Sequence, residues 1–109
     1  MRIDFGKMEE HRVPGMNGGT GEMSARMYMG KNGKIIPSRI HPGGSIGRHR
    51  HDTSDDINFI LSGEGTAVCD GQEEKLEAGV CHICLKGSEH SIANTGTEDL
   101  VMLTVVVER

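Results

Sequence analysis

Short apolar runs separated by turn residues follow one another along most of this chain. Within the runs, apolar and polar residues alternate as in β-strands, and no stretch has the periodicity of a strong helix. Asn32-Gly33 and Asp70-Gly71 each lie between two runs and predict tight hairpin turns, because both central residues of such turns need positive φ. Residues 100–107 are rich in β-branched side chains and predict a buried strand. About nine strands in this arrangement predict a sandwich or a barrel.

One all-β domain accounts for the 109 residues, which fall near the common domain size. Its core is expected to be thin, because the chain has three aromatic residues, no Trp and 35% apolar residues. Residues 1–23 have weak periodicity and are expected to form an arm that packs on the barrel or on a partner subunit. Residues 24–109 are expected to form the barrel. Since a thin core gains from burying a further face, we expect a homodimer.

Charge and composition narrow the range of partners. The net charge of −4, with no basic patch, argues against binding to nucleic acid. No apolar run approaches the roughly 20 residues that a membrane-spanning helix needs, and the N-terminus lacks an apolar signal region. The three cysteines are an odd number and do not suggest a disulfide framework. We therefore expect a cytoplasmic protein with neither a nucleic-acid nor a membrane partner.

Histidines in the middle of the chain carry the candidate chemistry. His49 and His51 lie two residues apart, and side chains at that spacing share one face of a strand. Asp56 and His90 can join them from neighbouring strands. Three imidazoles and one carboxylate suit a divalent ion of the first transition row. The pattern therefore predicts a metal site made by these four residues.

The spacing around these residues resembles the two motifs of the cupin superfamily. The first motif, G-x5-H-x-H-x3/4-E-x6-G, matches residues 43–63, with Asp56 where the family has Glu. The second, G-x5-P-x-G-x2-H-x3-N, matches residues 79–94, with Leu85 where the family has Pro. The other matching positions are Gly43, His49, His51, Gly63, Gly79, Gly87, His90 and Asn94. The resemblance implies a small single-domain cupin, a jelly-roll β-barrel with the metal inside.

That resemblance also implies a function. In the family the ion is one divalent transition metal (Mn, Fe, Ni, Co, Cu or Zn), and positions left open on it permit Lewis-acid or redox chemistry. The resemblance favours a metal-dependent enzyme acting on a small organic substrate, of the oxygenase, decarboxylase or isomerase class. Two alternatives stay open: a non-catalytic barrel that binds a small molecule, and a structural barrel with a relic site. The shorter side chain of Asp56 also leaves open whether it binds the metal directly or through water.

Three further residues are candidates for lining the cavity. Asn58 and Ile60 follow Asp56 at spacings of two, so a strand places all three on one face. A polar side chain inside a small barrel needs a hydrogen-bond partner, so Asn58 is expected to orient a ligand, a water or a substrate. His82 is the third candidate, although it could equally face solvent.

Cys81 and Cys84 have the spacing of a C-x-x-C redox motif. Such motifs need a helix N-terminus to lower the thiol pKa, whereas this segment is a predicted strand. Residues three apart on a strand lie on opposite faces. We therefore expect one cysteine in the core and the other outside, and neither as a nucleophile.

Overall fold

The computed structural model describes residues 1–109 and consists of strands and two short 3-10 turns, Phe5–Lys7 and Met16–Gly18. The predicted all-β class is confirmed, and no helix is long and apolar enough to cross a membrane. The eleven strands are β1 (His11–Pro14), β2 (Glu22–Ala25), β3 (Tyr28–Gly30), β4 (Gly33–Ile40), β5 (Ser45–Arg50), β6 (Ser54–Ser62), β7 (Glu64–Cys69), β8 (Gln72–Glu77), β9 (Cys81–Cys84), β10 (Glu89–Asn94) and β11 (Leu100–Glu108).

Two antiparallel sheets form the barrel, as the jelly-roll prediction requires. The larger sheet has the order β1-β2-β4-β11-β6-β9, with β3 paired to β4, and the smaller has the order β5-β10-β7-β8. From β4 onward the chain passes repeatedly between the sheets, which is typical of a jelly roll. Both sheets contribute apolar side chains to one core. Its members are Met23, Ile40, Ile46, Ile60, Ala67, Leu76, Ile92, Leu100 and Met102.

The N-terminal part differs in detail from the sequence pattern. Residues 25–29 fit the alternating pattern of one strand, but the structure divides them, since β2 ends at Ala25 and β3 begins at Tyr28. Between them the Arg26 backbone N–H donates to the Pro37 carbonyl, and its side chain donates to the Met8 carbonyl. The boundary expected at residue 23 falls within β2, which pairs with both β1 and β4. Part of the expected arm thus forms the edge of the larger sheet.

The two predicted hairpins have different outcomes. Asp70 and Gly71 both have positive φ, 48° and 81°, and form the turn between β7 and β8 as predicted. In the other hairpin Gly30 pairs with Gly33, so the turn lies one residue earlier than predicted, at Lys31 and Asn32. Gly33 instead sits in β4, where a Cβ would collide with the Val106 carbonyl oxygen.

Asn94, the last residue of the second motif, is buried, and its side chain forms hydrogen bonds to the backbone of two neighbouring segments. Its Nδ2 donates to the carbonyl oxygens of Ile40 and Glu98, both at 2.8 Å. Its Oδ1 accepts from the Gly96 N–H at 2.9 Å. Asn94 therefore fixes the loop between β10 and β11 to β4 and holds the end of β10 in register.

Candidate metal centre

Three histidine side chains converge inside the barrel. His49 lies on β5 and pairs with His90 on β10, while His51 follows β5 and is held by hydrogen bonds to the β9–β10 turn. Their Nε2 atoms form a triangle with sides of 3.0, 3.0 and 3.2 Å. The ligand atoms of all three lie within 4.8 Å of one another, so the histidines are positioned to hold a metal ion.

The triangle's dimensions fit nitrogen ligands that would share one ion. With metal–nitrogen bonds of about 2.1 Å, neighbouring ligands lie about 3.0 Å apart on an octahedral ion and about 3.4 Å apart on a tetrahedral one. The observed sides lie closer to the octahedral value. Three histidine nitrogens would leave positions on such an ion open for a carboxylate, water or a ligand.

Hydrogen bonds select the ring tautomers that a metal needs. His49 Nδ1 lies 2.7 Å from the Gly47 carbonyl oxygen, so this nitrogen carries the proton and leaves Nε2 free. His82 Nδ1 lies 2.8 Å from Glu74 Oε1, and His82 Nε2 lies 2.9 Å from His90 Nδ1. Since an ionised carboxylate only accepts, the protons point from His90 to His82 to Glu74. This Glu74–His82–His90 chain leaves His90 Nε2 free for a metal.

Asp56 stands beside the triangle and belongs to the opposite sheet. Its Oδ2 lies 3.2 Å from His90 Nε2 and 3.6 Å from His51 Nε2. It is not among the ligand atoms that all lie within 4.8 Å of one another, which come from the three histidines alone. Asn58 Nδ2 donates to the same oxygen at 3.0 Å, and Thr104 Oγ1 donates to Asn58 Oδ1 at 2.7 Å. Asp56 is therefore oriented by its own strand and by β11.

The environment favours the protonation states that bind metals. Burial raises the pKa of the Asp56 carboxyl, but contacts with His90 and Asn58 outweigh burial and hold that pKa below its usual range. The contact with His90 Nε2 is a hydrogen bond only while that nitrogen carries a proton, and a metal would take the place of that proton. Burial lowers the pKa of His51 and outweighs the attraction of Asp56 for its protonated form. An ionised carboxylate and a neutral imidazole are the forms that coordinate a metal.

A cavity of about 550 Å³ opens in front of the histidines. Ten of its lining residues are hydrophobic, and four of these are methionines, Met16, Met23, Met27 and Met102. Ser38 also lines it, and its buried hydroxyl has no hydrogen-bond partner within the protein. The cavity therefore has the size and the mixed lining of a small-molecule site.

The three candidate lining residues occupy different places. Asn58 lines the cavity and is 1% exposed. Ile60 lies deeper, in the apolar core, and is not among the lining residues. His82 is fully buried and stacks on the His90 ring at a centroid distance of 5.1 Å, behind the cavity wall.

The two cysteines of the C-x-x-C segment lie on opposite faces of β9. Cys81 is exposed and Cys84 is buried, and neither is in a disulfide. Burial raises the pKa of the Cys84 thiol to about 12, which makes it a poor nucleophile. Both observations agree with the expectation of opposite faces.

Two residues of the site, Thr104 and Glu74, are not among those that the sequence predicts. Thr104 is the one polar residue in the apolar run 101–107, and that break in the pattern was an available signal. Glu74 gave no signal, because it lies among charged neighbours on β8, and its contact with His82 on β9 crosses from one sheet to the other.

Comparison with known proteins decides the family. A family model described as the cupin domain matches residues 38–106 of this chain. The chain belongs to the cupin family. This cupin is 31% identical, over 113 aligned residues, to an oxalate-binding protein of Thermotoga maritima, a match that covers 98% of this chain and 93% of the relative.

Solved structures resemble this cupin at two levels. A crystal structure from Thermotoga maritima described as a "predicted oxalate decarboxylase" matches with a TM-score of 0.93 at 30% identity, over 100% of both chains. The cupin domain of Schizosaccharomyces pombe Cnp3 matches with a TM-score of 0.81 at 10% identity, over 99% of this chain and 74% of that one. The second likeness shows the fold alone.

Proposed function

We propose that this cupin binds one divalent transition metal through His49, His51 and His90 and uses it to hold a small carboxylate. The triangle of Nε2 atoms with sides of 3.0 to 3.2 Å carries the proposal. A bound ion of this kind supplies a Lewis acid that attracts carboxylate oxygens. The mixed cavity in front of the triangle and the oxalate-binding relative support a ligand of this class.

Catalysis at the same site is a second candidate, and Asp56 favours it. Its ionised Oδ2 lies beside the triangle and inside the cavity wall, where it can accept a proton from a bound molecule or return one. Asn58 and Thr104 hold the carboxylate in place for that role. Turnover of oxalate or of a 2-oxo acid, lost in Asp56→Asn while metal is retained, would establish an enzyme. Binding without turnover would leave the non-catalytic barrel.

Metal content of the purified protein tests the proposal first. Protein made without affinity-tag metals is examined by elemental mass spectrometry beside His51→Ala and a control, His11→Ala, whose side chain is exposed on β1. We expect about one ion per chain in the parent and in the control, and a loss of at least tenfold in His51→Ala, because a ligand is removed. Full metal retention in His51→Ala would overturn the site. No binding after soaking in each ion would favour the relic barrel.

We also propose a homodimer formed through the outer face of the larger sheet. Outward side chains on β6, β9 and β11 form a continuous apolar surface, in which Leu103 pairs with Phe59, and Ile57 with Ile83. Phe59, Leu61 and Ile83 are 45%, 58% and 47% exposed. No charged residue interrupts this surface between Val101 and Val105 or between Ile57 and Leu61. A second copy related by a two-fold axis would cover it with a matching surface.

A further inference from the structure

The cavity is larger than oxalate requires. Oxalate has six heavy atoms, and at about 30 Å³ for each, the volume of one water in the liquid, it fills roughly 180 Å³. The cavity offers about 550 Å³. About two thirds of the space in front of the histidines would therefore remain for another part of a ligand.

That remaining space is bounded mainly by apolar side chains. Met23, Ile46, Ile92 and Met102 belong to the hydrophobic core and also form the inner wall of the cavity. Met16 and Met27, which are 39% and 46% exposed, extend the apolar wall to the open side. Unbranched thioether side chains adapt to a flexible chain, so the methionines suit an aliphatic group of variable shape.

The charges around the cavity favour a singly charged ligand. Lys34 and Arg50 line it with two positive charges, and Asp52, Asp56 and Glu108 with three negative ones, which gives a formal sum of −1. A divalent ion changes the sum to +1. A monocarboxylate then brings it to zero, whereas the oxalate dianion brings it to −1. The Arg50 guanidinium also has a partner within the protein, since its Nη1 donates to the Gly87 carbonyl oxygen at 2.9 Å.

We propose that the preferred ligand is a monocarboxylate with an oxygen on its α-carbon and an aliphatic tail of several carbons. The inference rests on the proposed function, because the carboxylate and the α-oxygen would bind at the open positions of the ion. The tail lies against the methionine-rich wall. Oxalate shares only the chelating end of such a ligand.

Calorimetry with a graded ligand series tests this preference. Protein loaded with the ion found by elemental analysis is titrated with oxalate, pyruvate, 2-oxobutanoate, 2-oxohexanoate and hexanoate. Burial of one methylene strengthens binding about fourfold, so 2-oxohexanoate, which has three more methylenes, is expected to bind about sixtyfold more tightly than pyruvate. Hexanoate, which lacks the α-oxygen, is expected to bind more weakly than 2-oxohexanoate.

Two methionine variants form a matched pair for the same series. Met27 lines the cavity, whereas Met29, two residues later, is 66% exposed and does not. Met27→Gln is expected to reduce 2-oxohexanoate binding about fivefold and to leave pyruvate unchanged, because it removes apolar wall only from the tail. Met29→Gln is expected to change neither ligand.

The outcomes separate this inference from the proposed function. Protein that holds no metal in any loading condition overturns both. Protein that holds one ion and binds oxalate at least as tightly as 2-oxohexanoate overturns the inference alone. An affinity that does not rise with the chain length of the ligand also overturns the inference. So does a loss of 2-oxohexanoate affinity that is as large in Met29→Gln as in Met27→Gln. The graded rise, reduced only by Met27→Gln, supports it.

Discussion

At the scale of single residues, a glutamate at the outside of the barrel sets the tautomer of a candidate metal ligand. Glu74 is 43% exposed at its side chain, while His82 and His90 behind it are buried. Hydrogen-bond partners of this kind typically change metal affinity by about 10- to 100-fold. Metal affinity is therefore expected to depend on a side chain that would contact neither the metal nor its ligand.

Glu74→Ala is expected to weaken metal binding about tenfold, because His82 loses its acceptor and no longer holds the His90 tautomer. Calorimetric titration with the bound ion measures the affinity, and nitrogen NMR shifts of the His90 ring report its tautomer. Glu74→Gln keeps an accepting oxygen and should restore most of the affinity. Glu73→Ala, an exposed neighbour on β8, is the control. Equal affinities in all four proteins would contradict the role of the chain.

Asp56→Glu tests whether the carboxylate is a direct ligand. The longer side chain brings an oxygen closer to the triangle, so we expect metal binding to tighten several-fold, as measured by competition with a chelator. Asp56→Asn keeps the size of the side chain without its charge and is the control. A large loss of affinity in Asp56→Glu would show that aspartate is fitted to this cavity.

The sequence could predict which residues form the centre, but not how far along the barrel each side chain lies. Spacing by two places His49 and His51 on one face, and the structure brings both together with His90. The same rule places Asn58 and Ile60 on one face, but only Asn58 reaches the cavity. Alternation identifies a face of a strand and not the distance along the barrel. It also cannot locate Glu74, whose partner comes from the other sheet.

At the scale of elements, the 3-10 turn at residues 16–18 forms part of the cavity wall by packing on β5. Gly47 makes this approach possible, because a Cβ there would collide with the Asn17 carbonyl oxygen. The Gly47 carbonyl also accepts the hydrogen bond that orients His49. One close backbone contact thus connects a turn, a strand and a candidate ligand.

Gly47→Ala is expected to destabilise the protein by about 1–3 kcal/mol, because rigid backbone must move to admit the methyl group. Urea unfolding measures the change, and a weaker metal affinity should accompany it. Gly96→Ala is the matched control, since its nearest neighbour would lie at an ordinary 3.5 Å. Equal stability of the two variants would mean that the turn moves aside without cost.

The N-terminal segment predicts a pH dependence. Arg39 hydrogen-bonds to Glu10 and holds the pKa of that carboxyl below its ordinary value, and a hydrogen bond from His41 does the same for Asp99. As the pH falls, the Glu10 carboxyl takes up its proton near pH 4.5 in the unfolded chain, before it does so in the folded protein. These hydrogen bonds therefore stabilise the fold fully above that pH, and the stabilisation is lost as the pH falls to the lowered pKa. Urea midpoints at pH 6 and pH 3.5 measure the loss. Glu10→Gln should show a smaller loss, and an unchanged loss would exclude the contribution of Glu10.

At the scale of the whole molecule, turn signals and alternation were sufficient to predict an all-β barrel. They could not reveal the apolar outer surface of the larger sheet. In residues 100–107 both faces of β11 carry apolar side chains, so the pattern does not tell the core face from an exposed one. Only the folded structure shows that Leu100 and Met102 are buried while Val101 and Leu103 lie on the outer side.

Phe59→Lys combined with Ile83→Lys is expected to convert the proposed dimer to a monomer, because each copy would bury two charges at the centre of the interface. Sedimentation at micromolar concentration measures the mass. Val68→Lys places a charge on the smaller sheet, where Val68 is 37% exposed, and should leave the dimer intact. A monomeric parent protein would overturn the proposed interface.

The two sheets contribute unequally to the centre. All three histidines belong to β5, its extension and β10, neighbours in the smaller sheet, whereas Asp56 lies on the larger sheet. A small sliding of one sheet over the other would leave the histidine triangle intact and would change only its distance to the carboxylate. The triangle would therefore keep its hold on an ion through such a displacement, and only the contact with the carboxylate would change.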